Sequence, residues 1–116
     1  MDEADKLKLI FSVMLWIRDN LDNELNVKVV SNKSGYSRRY FQKLFKENVG
    51  VTIKEYILHI RINRATELLV LPQKTINSIS FEVGFSSHQS FSRAFKRAMH
   101  QTPRDFRQVN IKLSHK

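Results

Sequence analysis

A chain of 116 residues with 41% apolar side chains has enough to bury one modest core, or two very small ones sharing a helix, and is not composed like a disordered protein. Twenty Lys and Arg against 11 Asp and Glu give a formal charge of +9 and a pI near 10.1, which admits nucleic acid, an anionic membrane or an acidic protein as partner. The lack of cysteine excludes a disulfide scaffold and thiolate zinc sites, and fits a reducing compartment.

Charge is unevenly placed. Residues 1–24 hold six acids (Asp2, Glu3, Asp5, Asp19, Asp22, Glu24) and three bases (Lys6, Lys8, Arg18), which leaves 17 bases against five acids in residues 25–116. Residues 25–46 carry six bases, residues 83–104 carry four, and neither window holds an acid.

In chain order, the spacing of Ile10, Val13, Met14, Ile17 and Leu21 predicts a first helix over residues 4–21. Trp16 lies toward one edge of that face and reads as core or core edge in preference to a base-stacking platform. The apolar run over residues 9–17, broken only by Ser12, follows an acidic leader, lacks a small-residue cleavage site and is too short to span a bilayer. A cytoplasmic protein without membrane contact is expected. Residues 19–26 are polar and turn-forming.

Residues 27–34 make a short helix with Val27, Val30 and Val29 inward, ended by Gly35. A second helix over residues 37–48, capped by Ser37 and stopped by Gly50, buries Phe41, Leu44, Phe45 and Val49 and leaves Arg39, Gln42, Lys43 and Lys46 on one outer stripe. Thr52 and Glu55 then form a capping-box pattern, opening a helix over residues 52–70 that stops before Pro72. Its 19 residues make a rod of roughly 28 Å, expected to be the longest helix. Thr75 caps another short helix, ended by Gly84. The helix after it, over residues 87–99, turns Phe91, Ala94, Phe95 and Ala98 inward and Gln89, Ser92, Arg93 and Lys96 outward. Thr102 and Pro103 open a last short helix, and residues after 109 are expected to fray.

The chain therefore repeats a unit. Val27, Val30, Gly35, Tyr36 and Ser37 match Ile76, Ile79, Gly84, Phe85 and Ser86 at a separation of 49. Phe41, Lys43, Phe45 and Lys46 match Phe91, Arg93, Phe95 and Lys96 at 50, as do Thr52, Lys54, Glu55 and Tyr56 with Thr102, Arg104, Asp105 and Phe106. In each copy a glycine ends a short helix, an aromatic packs behind it, and a serine caps a second helix whose outer stripe is cationic and hydrogen-bonding. A helix lying in a major groove needs such a stripe. The expected fold is all-α, with about seven helices: helix-turn-helix subdomains over residues 1–51 and 72–116, joined by a long central helix over residues 52–71.

Other chemistry finds no constellation. His59, His88, His100 and His115 are scattered without metal-ligand spacing or paired carboxylates, three glycines build no phosphate loop, and no serine sits in a nucleophile elbow. No enzyme, cofactor or metal is expected. A module binding an acidic protein and a non-specific DNA-coating protein remain the rivals to a sequence reader.

Taken together and in order, several motifs resemble the DNA-binding domain of AraC/XylS-type bacterial transcription regulators, most nearly the small stand-alone MarA/SoxS/Rob-like group. They are Ser34-Gly-Tyr-Ser37 with Phe41 and Phe45; Tyr56-Ile57, Arg61-Ile62, Ala65 and Leu68-Leu69; Ile79, Gly84-Phe85, Phe91 and Phe95-Lys96; and Pro103 with Phe106-Arg107. The resemblance spans about residues 10–107. It implies two recognition helices entering major grooves on one side of the duplex, an asymmetric promoter site with two boxes read by a monomer, and transcription activation through RNA polymerase. Successive major-groove faces lie about 34 Å apart, so helices held closer would bend the DNA. By position, Arg39, Gln42 and Lys43 are the base-reading candidates of the first copy, with Arg38 and Lys46 nearer phosphate. Those of the second are His88, Gln89, Ser92 and Arg93, with Lys96 near phosphate. Arg61 is a further phosphate candidate; for it and Arg64 a salt bridge with Glu67 or a structural bond stays open, as capping or plain exposure does for His88. The MarA-like group carries tryptophan at the position of Arg39 and glutamine at that of His88, so the preferred bases do not carry over. No small-molecule effector site is visible; the chain reads either as a complete regulator or as the DNA-binding piece of a longer, ligand-responsive one. A nucleoid-associated place in a bacterial cytoplasm follows from the same resemblance.

Overall fold

A computed structural model describes the backbone of residues 1–114 and the side chains of residues 1–111. Seven helices follow one another, with no strand among the described residues: α1 (Glu3–Asp19), α2 (Val27–Ser34), α3 (Arg38–Val49), α4 (Ile53–Leu69), α5 (Ile76–Glu82), α6 (His88–Met99) and α7 (Pro103–Ser114). The chain divides into two compact units, Met1–His59 and Ile60–Lys116, with the division inside α4.

Each start is set by a short polar side chain that accepts from an otherwise unpaired first-turn amide. Asp2 accepts from the Asp5 amide at 2.8 Å, Asn26 from Val29 at 3.0 Å and Ser37 from Tyr40 at 3.2 Å. Thr75 accepts from Ser78 at 3.0 Å, Ser87 from Ser90 at 3.1 Å and Thr102 from Asp105 at 3.1 Å. The capping box of α4 closes in both directions: the Thr52 amide donates to Glu55 Oε1 and the Glu55 amide to Thr52 Oγ1, both at 3.1 Å.

In the first unit α1 contributes Ile10, Val13 and Ile17 to the core, joined by Leu25, Val30, Phe41, Leu44, Phe45, Ile53, Tyr56 and Ile57. The Phe45 ring meets that of Tyr56 edge-on at 5.6 Å, and Arg18 Nε donates to the Tyr56 hydroxyl at 3.4 Å. Trp16 is half-buried with Lys33 Nζ 5.6 Å from its ring centroid, a core-edge position. On the other side of α1, Leu7, Phe11 and Leu15 are exposed.

The second unit is built on Ile62, Ala65, Leu68, Leu69, Ile79, Val83, Phe91 and Phe95. A row of ring contacts runs from Phe85 to Phe91 (5.4 Å), to Phe95 (5.7 Å) and on to Phe106 (5.6 Å). Phe91 and Phe95 are fully buried, each contributing about 1.5–3 kcal/mol of transfer free energy.

Helix α1 stops at Asp19, short of Leu21, and the cap of α5 is Val83, one residue before the expected Gly84; five further details differ from the sequence-based expectation. Helix α1 has 17 residues, the same as α4, so α4 is not alone in being longest. Val49 is half-buried, not buried, because it closes the last turn of α3 before Gly50. Ala98 is exposed and its neighbour Met99 packs on the core instead, since the longer thioether reaches where a methyl does not. Tyr36 does not pack behind its glycine as Phe85 does: it is 44% exposed. Helix α7 continues to Ser114 through the residues expected to fray, held by Phe106 on Phe95 and by the Asn110 side chain donating to the Phe106 carbonyl at 2.8 Å. Residues 115–116, part of that expectation, lie outside the described residues, as does His115.

Candidate nucleic-acid interface

Two copies of a short helix, a turn and a capped second helix form one candidate surface in each unit. In the first, Gly35 adopts φ 81° at the end of α2, and the Tyr36 amide donates to the Ser34 hydroxyl at 3.1 Å, which turns the chain into the Ser37 cap. In the second, Val83 ends α5, Gly84 takes φ 101° and the Phe85 amide donates to the Ser80 carbonyl at 3.0 Å. Each turn is held by its own backbone and serines, so the second helix starts at a defined place.

With three buried aromatic or aliphatic residues fixing its inner face, α3 presents Arg39, Gln42, Lys43 and Lys46 at i, i+3, i+4 and i+7, all exposed. Arg38 is exposed one residue before them. Among the described residues none of these four cations forms an ion pair. Glu47 is the one acid of the helix. Helix α6 repeats the arrangement with Gln89, Ser92, Arg93 and Lys96; Ser92 is half-buried and the others, with His88, are exposed. Arg93 and Lys96 likewise form no ion pair among the described residues. Each helix has 12 residues, about 18 Å of rod, and its bare polar face suits a groove about 12 Å wide.

Arg61 is not on either stripe. It is half-buried on α4 with its guanidinium carbon 5.8 Å from the Phe85 ring centroid, a cation–π contact inside the second unit. Arg64 is exposed on the same helix. Two further exposed cations of the second unit, Arg97 on α6 and Arg104 on α7, had no role assigned from sequence, although the acid-free window over residues 83–104 contains both. Arg107 proves structural: its guanidinium donates to main-chain carbonyls of Leu69, Leu71 and Lys74, a non-local partnership no spacing rule reveals.

Among the described residues no three His, Cys, Asp or Glu side chains gather where they could hold a metal ion, and no helix is long and apolar enough to cross a membrane. Paired helix-turn-helix units with bare cationic stripes define a nucleic-acid-binding class of protein.

Comparison with known proteins narrows the class. A family model described as a helix-turn-helix domain matches residues 30–109. The Transposon Tn10 TetD protein of Escherichia coli is 44% identical over 103 residues, 89% of this chain and 75% of that one. Regulatory protein SoxS of Escherichia coli strain K12 is 37% identical over 100 residues, 86% of this chain and 94% of its own length. The crystal structure of a transcriptional regulator from Chromobacterium violaceum, named as an AraC-type DNA-binding domain-containing protein, superposes with a TM-score of 0.79 at 30% identity, covering 91% of this chain and 95% of that one. The chain belongs to the AraC-type helix-turn-helix family of DNA-binding transcription regulators.

Proposed function

We propose that this regulator binds, as a monomer, an asymmetric promoter site with two boxes and activates transcription by recruiting RNA polymerase. The observation that carries the reading is the pair of unlike stripes. The first helix-turn-helix, within residues 1–51, offers Arg39, Gln42 and Lys43 as base readers with Arg38 and Lys46 on phosphate. The second, within residues 72–116, offers His88, Gln89, Ser92 and Arg93, with Lys96 on phosphate, and the linker over residues 52–71, which contains α4, joins them; Arg61 is the remaining phosphate contact.

Arg and Lys can address guanine O6 and N7, glutamine can address adenine, and serine either, so the two helices favour different base sequences. An asymmetric site needs no second copy of the chain. Recruitment of RNA polymerase and action at the nucleoid of a bacterial cytoplasm are the readings that membership of a family of transcription regulators favours.

Selection of bound sequences from a random duplex pool tests the core of this proposal. The expected result is two distinct boxes at constant spacing, with a specific affinity at least about 10³-fold above random duplex at physiological salt. Recovery of no consensus would overturn it in favour of a DNA-coating protein, and a palindromic consensus with two chains per duplex would overturn the monomeric reading. In a reconstituted transcription assay, the protein should raise transcript yield from a promoter carrying the selected site; an unchanged or lowered yield would refute activation.

A further inference from the structure

The two copies part company beside their second helices. In the second unit Phe85 turns into the core against Phe91, and the position matching Tyr40 is Ser90, whose hydroxyl accepts from Ser87 Oγ at 2.9 Å. In the first unit both positions are tyrosine and both face solvent. Tyr36 is 44% and Tyr40 41% exposed, with ring centroids 5.4 Å apart and planes tilted by 45°. Among the described residues the Tyr40 hydroxyl has no hydrogen-bond partner, and that of Tyr36 meets the Met1 thioether at 3.8 Å, a weak acceptor.

The pair is placed against the cationic stripe. Tyr40 follows Arg39 directly and precedes Lys43 by one turn, so Tyr40 and Lys43 share one edge of that stripe, and the Tyr36 ring lies against Tyr40 just ahead of the helix; Glu47 continues the same edge. That edge ends toward the helix C-terminus at Glu47, which leaves its anion-tolerant part at the N-terminal half of α3. Two tilted, solvent-facing rings, one with an unpaired hydroxyl and one whose hydroxyl has only a weak thioether acceptor, suit a deoxyribose-phosphate strand: the hydroxyl donates to a phosphate oxygen while the ring face covers the sugar.

We infer that Tyr36 and Tyr40 form a charge-neutral clamp on the DNA backbone, which seats α3 at its groove and has no counterpart in the second unit. The inference rests on the DNA-binding reading above. A phenol displaces no condensed counterion, so the clamp adds affinity without adding salt dependence, unlike the Lys and Arg contacts around it.

Tyr36→Phe, Tyr40→Phe and the double variant keep the ring pair and remove only the hydroxyls. Their dissociation constants are to be measured on a duplex selected by the unaltered protein and on random duplex, between about 50 and 200 mM salt. Each single change should weaken both duplexes by the same factor, roughly three- to tenfold, with the slope of log K against log salt unchanged. Thermal melting of the free variants checks that the fold is intact. Equal binding by the double variant and the unaltered protein would refute the clamp, and so would a loss confined to the selected duplex, which would make the phenols base readers. Failure of the unaltered protein to bind any duplex would sink the DNA-binding reading itself, a result visible before any variant is compared.

Discussion

Arg107 of α7 donates from Nε to the main-chain oxygen of Leu69, the last residue of α4, at 2.8 Å. Its Nη2 reaches the carbonyls of Leu71 at 3.3 Å and Lys74 at 2.5 Å, so one guanidinium closes the helix end and the turn that follows it. Arg107→Ala should cost roughly 1–3 kcal/mol of stability, since three acceptors lose a charged donor. Arg107→Lys should recover only part, because an ammonium cannot span the three carbonyls as a planar fork does. Denaturant unfolding of the free protein checks both, and Arg107→Ala unfolding at the same midpoint as the unaltered chain would show the contacts to be incidental.

Gly50 and His100 occupy equivalent helix ends and both adopt the left-handed conformation, with φ 91° and 60°. A Cβ at Gly50 would meet nothing within 4 Å, so Gly50→Ala should cost only the backbone strain, about 1–2 kcal/mol. His100→Gly should relieve similar strain, offset in part by the freer unfolded chain, for a net gain below about 1 kcal/mol. Opposite shifts in melting temperature are the expected result; a lower melting temperature for His100→Gly would mean that the imidazole makes a contribution of its own.

The Glu55 carboxyl is held below its ordinary range, chiefly by the main-chain hydrogen bond from Thr52 and next by the Thr52 hydroxyl, against desolvation, with still smaller help from Lys46 and His59. A lowered folded-state pKa means that the ionised capping box contributes above the unfolded glutamate value near 4.5 and loses its contribution as pH falls through the folded value. The difference in melting temperature between the unaltered chain and Glu55→Ala should therefore be constant near neutrality and vanish in acid. Glu55→Gln should keep a hydrogen bond and lose that pH dependence. Thr52→Ala, which removes the cap acceptor, should cost about 1 kcal/mol at neutral pH.

Base reading and phosphate contact separate by salt and sequence. Arg39→Ala should cost about 1–3 kcal/mol on the selected duplex and much less on random duplex if the guanidinium reads a base. Lys46→Ala and Lys96→Ala should weaken both duplexes alike and each lower the salt slope by about one. Replacing all four cations of α3 should reduce the slope more than replacing Arg93 and Lys96 of α6. Equal loss for Arg39→Ala on every sequence would move that residue to the phosphates.

Local physics was legible in the residues themselves. Ser37, Thr52, Thr75 and Thr102 announce helix starts because a cap needs only its own next turn, and the repeat at 49 and 50 residues locates both outer stripes, although it pairs Ser37 with Ser86 where the cap of α6 is Ser87. Helical periodicity also selected Ile10, Val13 and Ile17 as the inner face of α1, although Leu7, Phe11 and Leu15 give that helix a second apolar side. What depends on residues far apart in sequence was decided only by packing. Ala98 and Met99 are both plausible at the inner edge of α6, yet Ala98 is exposed and Met99 packs against the core of the second unit. Tyr36 and Phe85 align in the repeat, yet one faces solvent beside Tyr40 and the other packs on Phe91. Arg107 could equally have been a surface cation until tertiary structure brought the end of α4 to it. Period and caps are properties of one turn of chain, and so the sequence determined the helices and their polar stripes; which aromatics are left free, and which cations are consumed as internal struts, follow from contacts between elements that only the fold supplies.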